Sequence, residues 1–281
     1  MVNNEPNKYI CLIGTIHTDL EGPRRLEGIL KRISPDIIAL ELSKDAEDLV
    51  ELKNKMTSEE EERKTEEVLS NYGINLTRRQ RETLLEGGRA MGSVTSYEFH
   101  VSRKYAQENP KTRLEYVDIS LFENGKQEFI DGYVTAMKGI VDEAVKDKKT
   151  RKGFLKLLKK GKDNYLKQSQ EYVDSTYSNR EAIEQVGKLM RDPEVFEGFK
   201  AGLPMNAVQA LEQIYSPKRD EFMAGKIREL YNNGENSVAS VTGLYHLPGL
   251  ISRLGDLQPI SMTLLDWDDY LNKISSENKA S

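Results

Sequence analysis

The stretch Tyr9–Leu42, YICLIGTIHTDLEGPRRLEGILKRISPDIIALEL, decides the fold class. Tyr9–Gly14 is a short apolar run closed by glycine, the pattern of a buried strand. Leu26, Ile29, Leu30 and Ile33 follow at i, i+3, i+4 and i+7, the stripe of an amphipathic helix. Pro35 then opens a second apolar run, Ile37–Leu42. Strand, helix and strand in so few residues form a βαβ unit, whose crossover is right-handed in nearly every known case.

The same reading extends outward. Residues 45–108 are polar and helix-rich, with an acidic run at Glu59–Glu62, Glu66 and Glu67 that suits a solvated helix face. Leu114–Ile119, Ser237–Thr242 and Ile260–Leu265 read as further strands, and residues 247–254 as a short helix. Residues 121–235 carry helical patterns and no convincing strand. The expectation is one α/β domain over residues 1–281, with a mainly parallel central sheet flanked by helices and a large helical insertion at about 121–215. No repeat of fixed period interrupts that plan.

Composition narrows the function classes. The chain has 281 residues, enough for a substantial core, and a net charge of −5, so its surface as a whole is no polyanion binder. Nucleic acid is not an expected partner. Cys11 is the only cysteine, which excludes a disulfide framework and a cysteine-rich zinc site. No run approaches ~18 apolar residues, so no transmembrane segment is expected. The start of the chain lacks the pattern of a signal peptide, and the cytoplasm is the expected compartment. Segment Lys146–Lys167 holds ten Lys or Arg and two acids. It reads as a solvated helical hairpin, with an anionic surface as the alternative contact. A long insertion is also compatible with a homodimer.

The candidate chemistry lies at strand ends. Gly14-Thr15-Ile16-His17 and Gly243-Leu244-Tyr245-His246 repeat one element: strand, glycine, two residues, histidine. Glycine permits a sharp exit, so each histidine falls just past a strand's carboxyl end. Glu41 sits in the apolar Ala39–Leu42, where a carboxylate is costly unless paired or ligating. Sites on parallel sheets form in the crevice outside that edge. Arg219 follows Ser216-Pro217, a cap and first helical position. It shares a face with Met223, Ile227 and Leu230, so it looks inward and needs an anion. Asp220 beside it suits a structural role in the first turn. Glu98 is either the third residue of a capping box begun by Thr95 or a further metal ligand. His100 reads as a surface or packing histidine, and Asp118 as a weaker edge candidate. Both key histidines lie outside the apolar runs, so alanine at either is expected to alter stability by no more than ~1 kcal/mol.

GTIH at 14–17, PDIIALEL at 35–42, RDEFMAGKI at 219–227 and GLYHLPGL at 243–250 resemble the signature blocks of the TraB/PrgY/Tiki family. The spacing around Gly92–Glu98 and LEYVDI at 114–119 resemble weaker blocks between them. The resemblance implies a fold related to the erythromycin-esterase and haem-binding ChaN group, with His17, Glu41, Arg219 and His246 as site residues. It also implies a metallopeptidase using a divalent ion, manganese or cobalt first and zinc second. Here Asp118 is followed by Ile119, where the family usually carries arginine.

Three readings follow. In the first, a metal-dependent hydrolase acts on peptides, with His17, His246 and Glu98 as ligands, Glu41 as a further ligand or as the base that takes a proton from water, and Arg219 holding a carboxylate or the oxyanion. In the second, a metal-independent esterase-like hydrolase acts on small esters or amides, and histidine activates water directly. The third is a peptide-binding protein without turnover.

Overall fold

A computed structural model describes residues 8–47, 73–94, 96–120, 146–189, 217–234 and 237–267, with residues 70, 125, 127–132, 135–136, 204–205 and 207–209 between them. The acidic run at 59–67, Thr95, Ser216 and parts of the insertion lie outside the described residues.

Five strands form one parallel sheet: β1 (Tyr9–Thr15), β2 (Ile37–Leu40), β3 (Arg113–Tyr116), β4 (Ser237–Gly243) and β5 (Ile260–Thr263), in the order β3-β2-β4-β1-β5. The α/β architecture expected from Tyr9–Leu42 is present. Strands β1, β2 and β4 are buried along their length except at Tyr9 and Gly243. That burial explains their continuous apolar runs, because a parallel sheet is covered on both faces.

Helix α1 (Gly22–Ile33) returns the chain from β1 to β2, burying Leu26, Ile29 and Leu30. It ends at Ser34, which adopts a left-handed conformation with φ 47°. Next come α2 (Arg78–Val94) and α3 (Tyr97–Glu108), which precede β3. The insertion contributes α4 (Lys148–Lys159), α5 (Lys162–Ser178) and α6 (Arg180–Leu189). Helix α7 (Pro217–Asn232) leads into β4, and α8 (Leu247–Leu254) leads out of it. Helix α1 packs on α3, and α7 packs on α8. Helix α2 packs against both α4 and α5, so the helical layer draws on chain from before β3 as well as after it. In the basic segment, Leu158 is buried and the cationic side chains of α4 face outward. Among the described residues, no helix is long and apolar enough to cross a membrane.

The strand order places the site. The chain leaves β1 toward β2 on one side and leaves β4 toward β5 on the other, although β1 and β4 are neighbours. Such a reversal opens a crevice beyond the carboxyl ends of the two strands. Thr15 of β1 lies opposite Gly243 of β4, so both Gly-x-x-His segments leave the sheet side by side.

Candidate functional site

Three adjacent strands deliver the cluster. His17 lies two residues past β1, Glu41 one residue past β2, and His246 three residues past Gly243 at the end of β4. A methyl group built on Gly243 would lie 3.3 Å from Glu41 Oε2, 3.7 Å from His246 Cδ2 and 3.8 Å from His17 Nε2. One point therefore has all three side chains within 4 Å. The crevice holds a cavity of about 250 Å³ lined by His17, Glu41, Glu98, Asp118 and Arg219, among others. A larger cavity of about 560 Å³ lies between α6, α8 and β5, but its lining contains no histidine. Chemistry rather than volume selects the smaller one.

Arg219 joins two carboxylates. Its Nε donates to Asp118 Oδ1 at 3.0 Å and its Nη2 to Asp118 Oδ2 at 2.5 Å. Nη2 also donates to Glu41 Oε1 at 2.6 Å. All three side chains are buried. The inward face inferred from Met223 and Ile227 is real, since both are fully buried beside it. The guanidinium provides the planar fork that such pairing requires. Burial opposes its charge, but Glu41 and Asp118 outweigh that and hold Arg219 protonated. Burial raises Asp118 above its ordinary value despite the fork.

Glu41 is the hub. Its Oε2 accepts the Gly243 N–H at 2.5 Å, and its Oε1 lies 3.2 Å from His246 Nε2. Burial pushes the Glu41 carboxyl up, yet His246, Arg219 and His17 together hold it well below its ordinary range. His246 Nδ1 lies 2.5 Å from Asp220 Oδ1. Burial works against a charged His246, but Glu41 and Asp220 prevail and raise it to about 9. Asp220, expected to play a structural role in the first turn, faces His246 as well. Removing this ring would strip a partner from Glu41 and Asp220, so the contacts argue for a larger stability cost in His246→Ala than its place past a strand end suggested.

His17 is held differently. Its Nδ1 lies 2.7 Å from Glu98 Oε1, while its side chain is 60% exposed. The negative charge of Glu98 is the chief cause of a rise to about 9, with burial opposing it. Among the described residues, Nε2 makes no hydrogen bond and lines the cavity. Helix α3 begins at Tyr97 after Ser96, whose φ is 69° and whose side chain makes no capping bond. Glu98 is thus the second helical residue, one place away from the capping-box position. His100 is exposed on the same helix, edge-on to Phe99.

A divalent ion would need free lone pairs from this donor set. Each histidine has Nδ1 against a carboxylate, as metal-bound imidazoles do. The rest does not fit: both oxygens of Glu41 and both nitrogens of His246 are engaged, and the Arg219 cation shares the Glu41 oxygen an ion would use. Glu98 meets the His17 ring instead of joining Glu41. Among the described residues, no group of three or more His, Cys, Asp or Glu is arranged to hold a metal ion.

Sequence reading brought His17, Glu41, Arg219 and His246 to one place, with Asp118 as a weaker member. It missed Tyr97 and Tyr177, whose hydroxyls meet the backbone of Ile16. Tyr177 is 161 residues from Ile16, and no local pattern marks that contact. No family model, curated protein or solved structure matches this chain.

Proposed function

We propose that this protein is a hydrolase of small ester, amide or peptide bonds in which the His17–Glu98 pair activates water without a metal. The observation that carries this reading is the His17 ring, fixed at Nδ1 by Glu98 and presenting Nε2 to the cavity. A carboxylate at one nitrogen selects the tautomer and orients the other for proton transfer. Water would attack the carbonyl carbon as its proton passes to Nε2. The same proton would then leave with the departing alkoxide or amine when the carbon–oxygen or carbon–nitrogen bond breaks. Glu41 would orient the water from the opposite wall. Arg219 and His246 supply the positive charge that offsets the growing oxyanion. A cytoplasmic setting fits the lone, buried Cys11.

The resemblance to the TraB/PrgY/Tiki family supports a hydrolytic role, and its metal-dependent form would use His17, Glu41 and His246. That form requires Glu41 and His246 to give up their 3.2 Å contact for an ion.

Purified protein assayed on p-nitrophenyl esters and a quenched peptide library tests the reading, with His17→Ala as control and metal content measured in both. Turnover that survives chelation and vanishes in His17→Ala is expected. Metal at one ion per chain, lost together with activity in His17→Ala, would establish the metal-dependent form. Stoichiometric peptide binding without products would establish the binding protein.

A further inference from the structure

The insertion meets the site at one peptide group. The Ile16 N–H donates to Tyr177 Oη at 2.8 Å, and the Ile16 carbonyl accepts from Tyr97 Oη at 3.5 Å. That carbonyl also accepts the Asp19 N–H at 2.9 Å, closing a turn with His17 at its second position. Tyr177 is 2% exposed and Tyr97 3%. Both polar groups of the residue before His17 are therefore fixed by buried phenols. A buried peptide N–H left unpaired is costly, so the Tyr177 hydroxyl holds the turn in one conformation.

Two further residues on the same face of α5, Gln170 and Asp174, at spacings of four and three residues, add contacts. Gln170 Oε1 accepts the Leu20 N–H at 2.9 Å, and Gln170 Nε2 donates to Asp19 Oδ1 at 2.9 Å. Arg25 Nη1 bridges Asp19 Oδ2 at 3.1 Å and Asp174 Oδ1 at 2.9 Å. Asp19 and Arg25 are buried. Residues 170, 174 and 177 thus bind the chain from 16 to 25.

We infer that helix α5 of the insertion is part of the candidate site, and that Tyr177 is a positioning residue: by pinning Ile16 it sets the His17 imidazole against Glu98. The second Gly-x-x-His segment meets the insertion through α6, which packs on Leu244–His246, and His246 takes its Nδ1 partner from α7, so its ring is not held through Tyr177. The consequence for turnover rests on the reading of His17 as the base. The placement of the ring does not, so the test reads the ring itself.

The experiment is proton–nitrogen NMR of the histidine Nδ1–H signals in the full chain at low temperature. A signal lost in His17→Ala identifies that of His17. In Tyr177→Phe, which keeps the buried ring, the His17 signal should vanish or exchange with water at least tenfold faster. The His246 signal should persist. Gln170→Ala, on the same face of α5, should give a smaller change of the same kind. A lowered melting temperature in Tyr177→Phe with the His17 signal unchanged would show a merely structural role and overturn the inference. Loss of both signals together in both variants would also overturn it, because the effect would not be selective for His17. A wild type with no His17 signal would remove the geometry on which it stands. If the selective loss is seen but no ester or peptide is cleaved, the positioning stands and the proposed function falls.

Discussion

The two Gly-x-x-His segments share a spacing and leave neighbouring strands, yet they end in unlike environments. After Gly14, β1 continues through Thr15, and His17 falls in an open turn with its side chain 60% exposed. After Gly243, a 3₁₀ turn (Leu244–His246) runs directly into α8, and the His246 side chain is 19% exposed. One ring has a free nitrogen at a cavity. The other is clamped between Glu41 and Asp220. The same local pattern sets where a chain leaves a sheet. Partners from distant elements decide whether the histidine can move a proton or only hold charge.

The sharpest way to break this comparison is to remove what lies behind the second segment. Arg219→Ala should destabilise by about 3–5 kcal/mol, because Glu41 and Asp118 are left as buried anions. Arg219→Lys should recover part of that loss in thermal melts, since an ammonium keeps the charge without the fork. His246→Ala should cost about 3 kcal/mol by the same reasoning, whereas His17→Ala should cost no more than ~1 kcal/mol and abolish turnover. Equal melting temperatures for the two alanine variants would erase the distinction drawn here.

Acidity tests it next. His246 is raised to about 9 from an ordinary 6.5, so the folded state binds its proton more tightly than the unfolded one. Its contribution is complete below pH 6.5 and is lost as pH rises through about 9, with a slope of at most about 1.4 kcal/mol per pH unit for one group. His246→Ala should flatten that decline in denaturant titrations. His17→Ala should flatten it less, because solvent screens the exposed His17 ring even though its partner Glu98 is buried. Glu41 is depressed, so its contribution is present above its ordinary value of 4.5 and fades on acidification below it. Turnover that needs a neutral His17 and a protonated His246 should trace a narrow bell centred near pH 9, since both groups titrate at about 9.

The two glycines separate packing from chemistry at the same strand exits. A methyl at Gly14 would meet Leu247 Cδ1 at 2.4 Å and Leu244 Cδ1 at 2.9 Å, both on core side chains. Gly14→Ala should cost about 1–3 kcal/mol through overpacking. Gly243→Ala should cost less than ~1 kcal/mol, since its nearest neighbour is Glu41 Oε2 at 3.3 Å. Its methyl would stand between the two imidazoles and reduce turnover at least tenfold. Unaltered turnover in Gly243→Ala would place the reacting groups elsewhere.

Much of this site was legible because it lies at strand ends. Apolar runs with period-free burial mark a parallel sheet, and a parallel sheet aligns the exits of its strands. His17, Glu41 and His246 converge for that reason. Arg219 was legible as an inward-facing cation that needed an anion, and Glu41 with Asp118 answers it. The roles of Glu98 and Asp220 were not legible. Each sits in a first helical turn, where a carboxylate has a sufficient local explanation in the helix dipole. Only the approach of α3 to the turn after β1 and of α7 to β4 turns them toward imidazoles.

The sequence alone determined the succession of strands and helices along the chain, the edge at which the ionisable residues gather, and the exclusion of a disulfide framework or cysteine-rich zinc site by a single cysteine. These follow from periodicity and residue type, which act over a few residues at a time. Strand order, the assignment of one imidazole to the cavity and one to a salt-bridge cluster, and the hold of Tyr177 on Ile16 were decided by tertiary structure. Each depends on contacts between segments far apart in the chain, where burial of charge and of peptide N–H groups selects partners that no local pattern specifies.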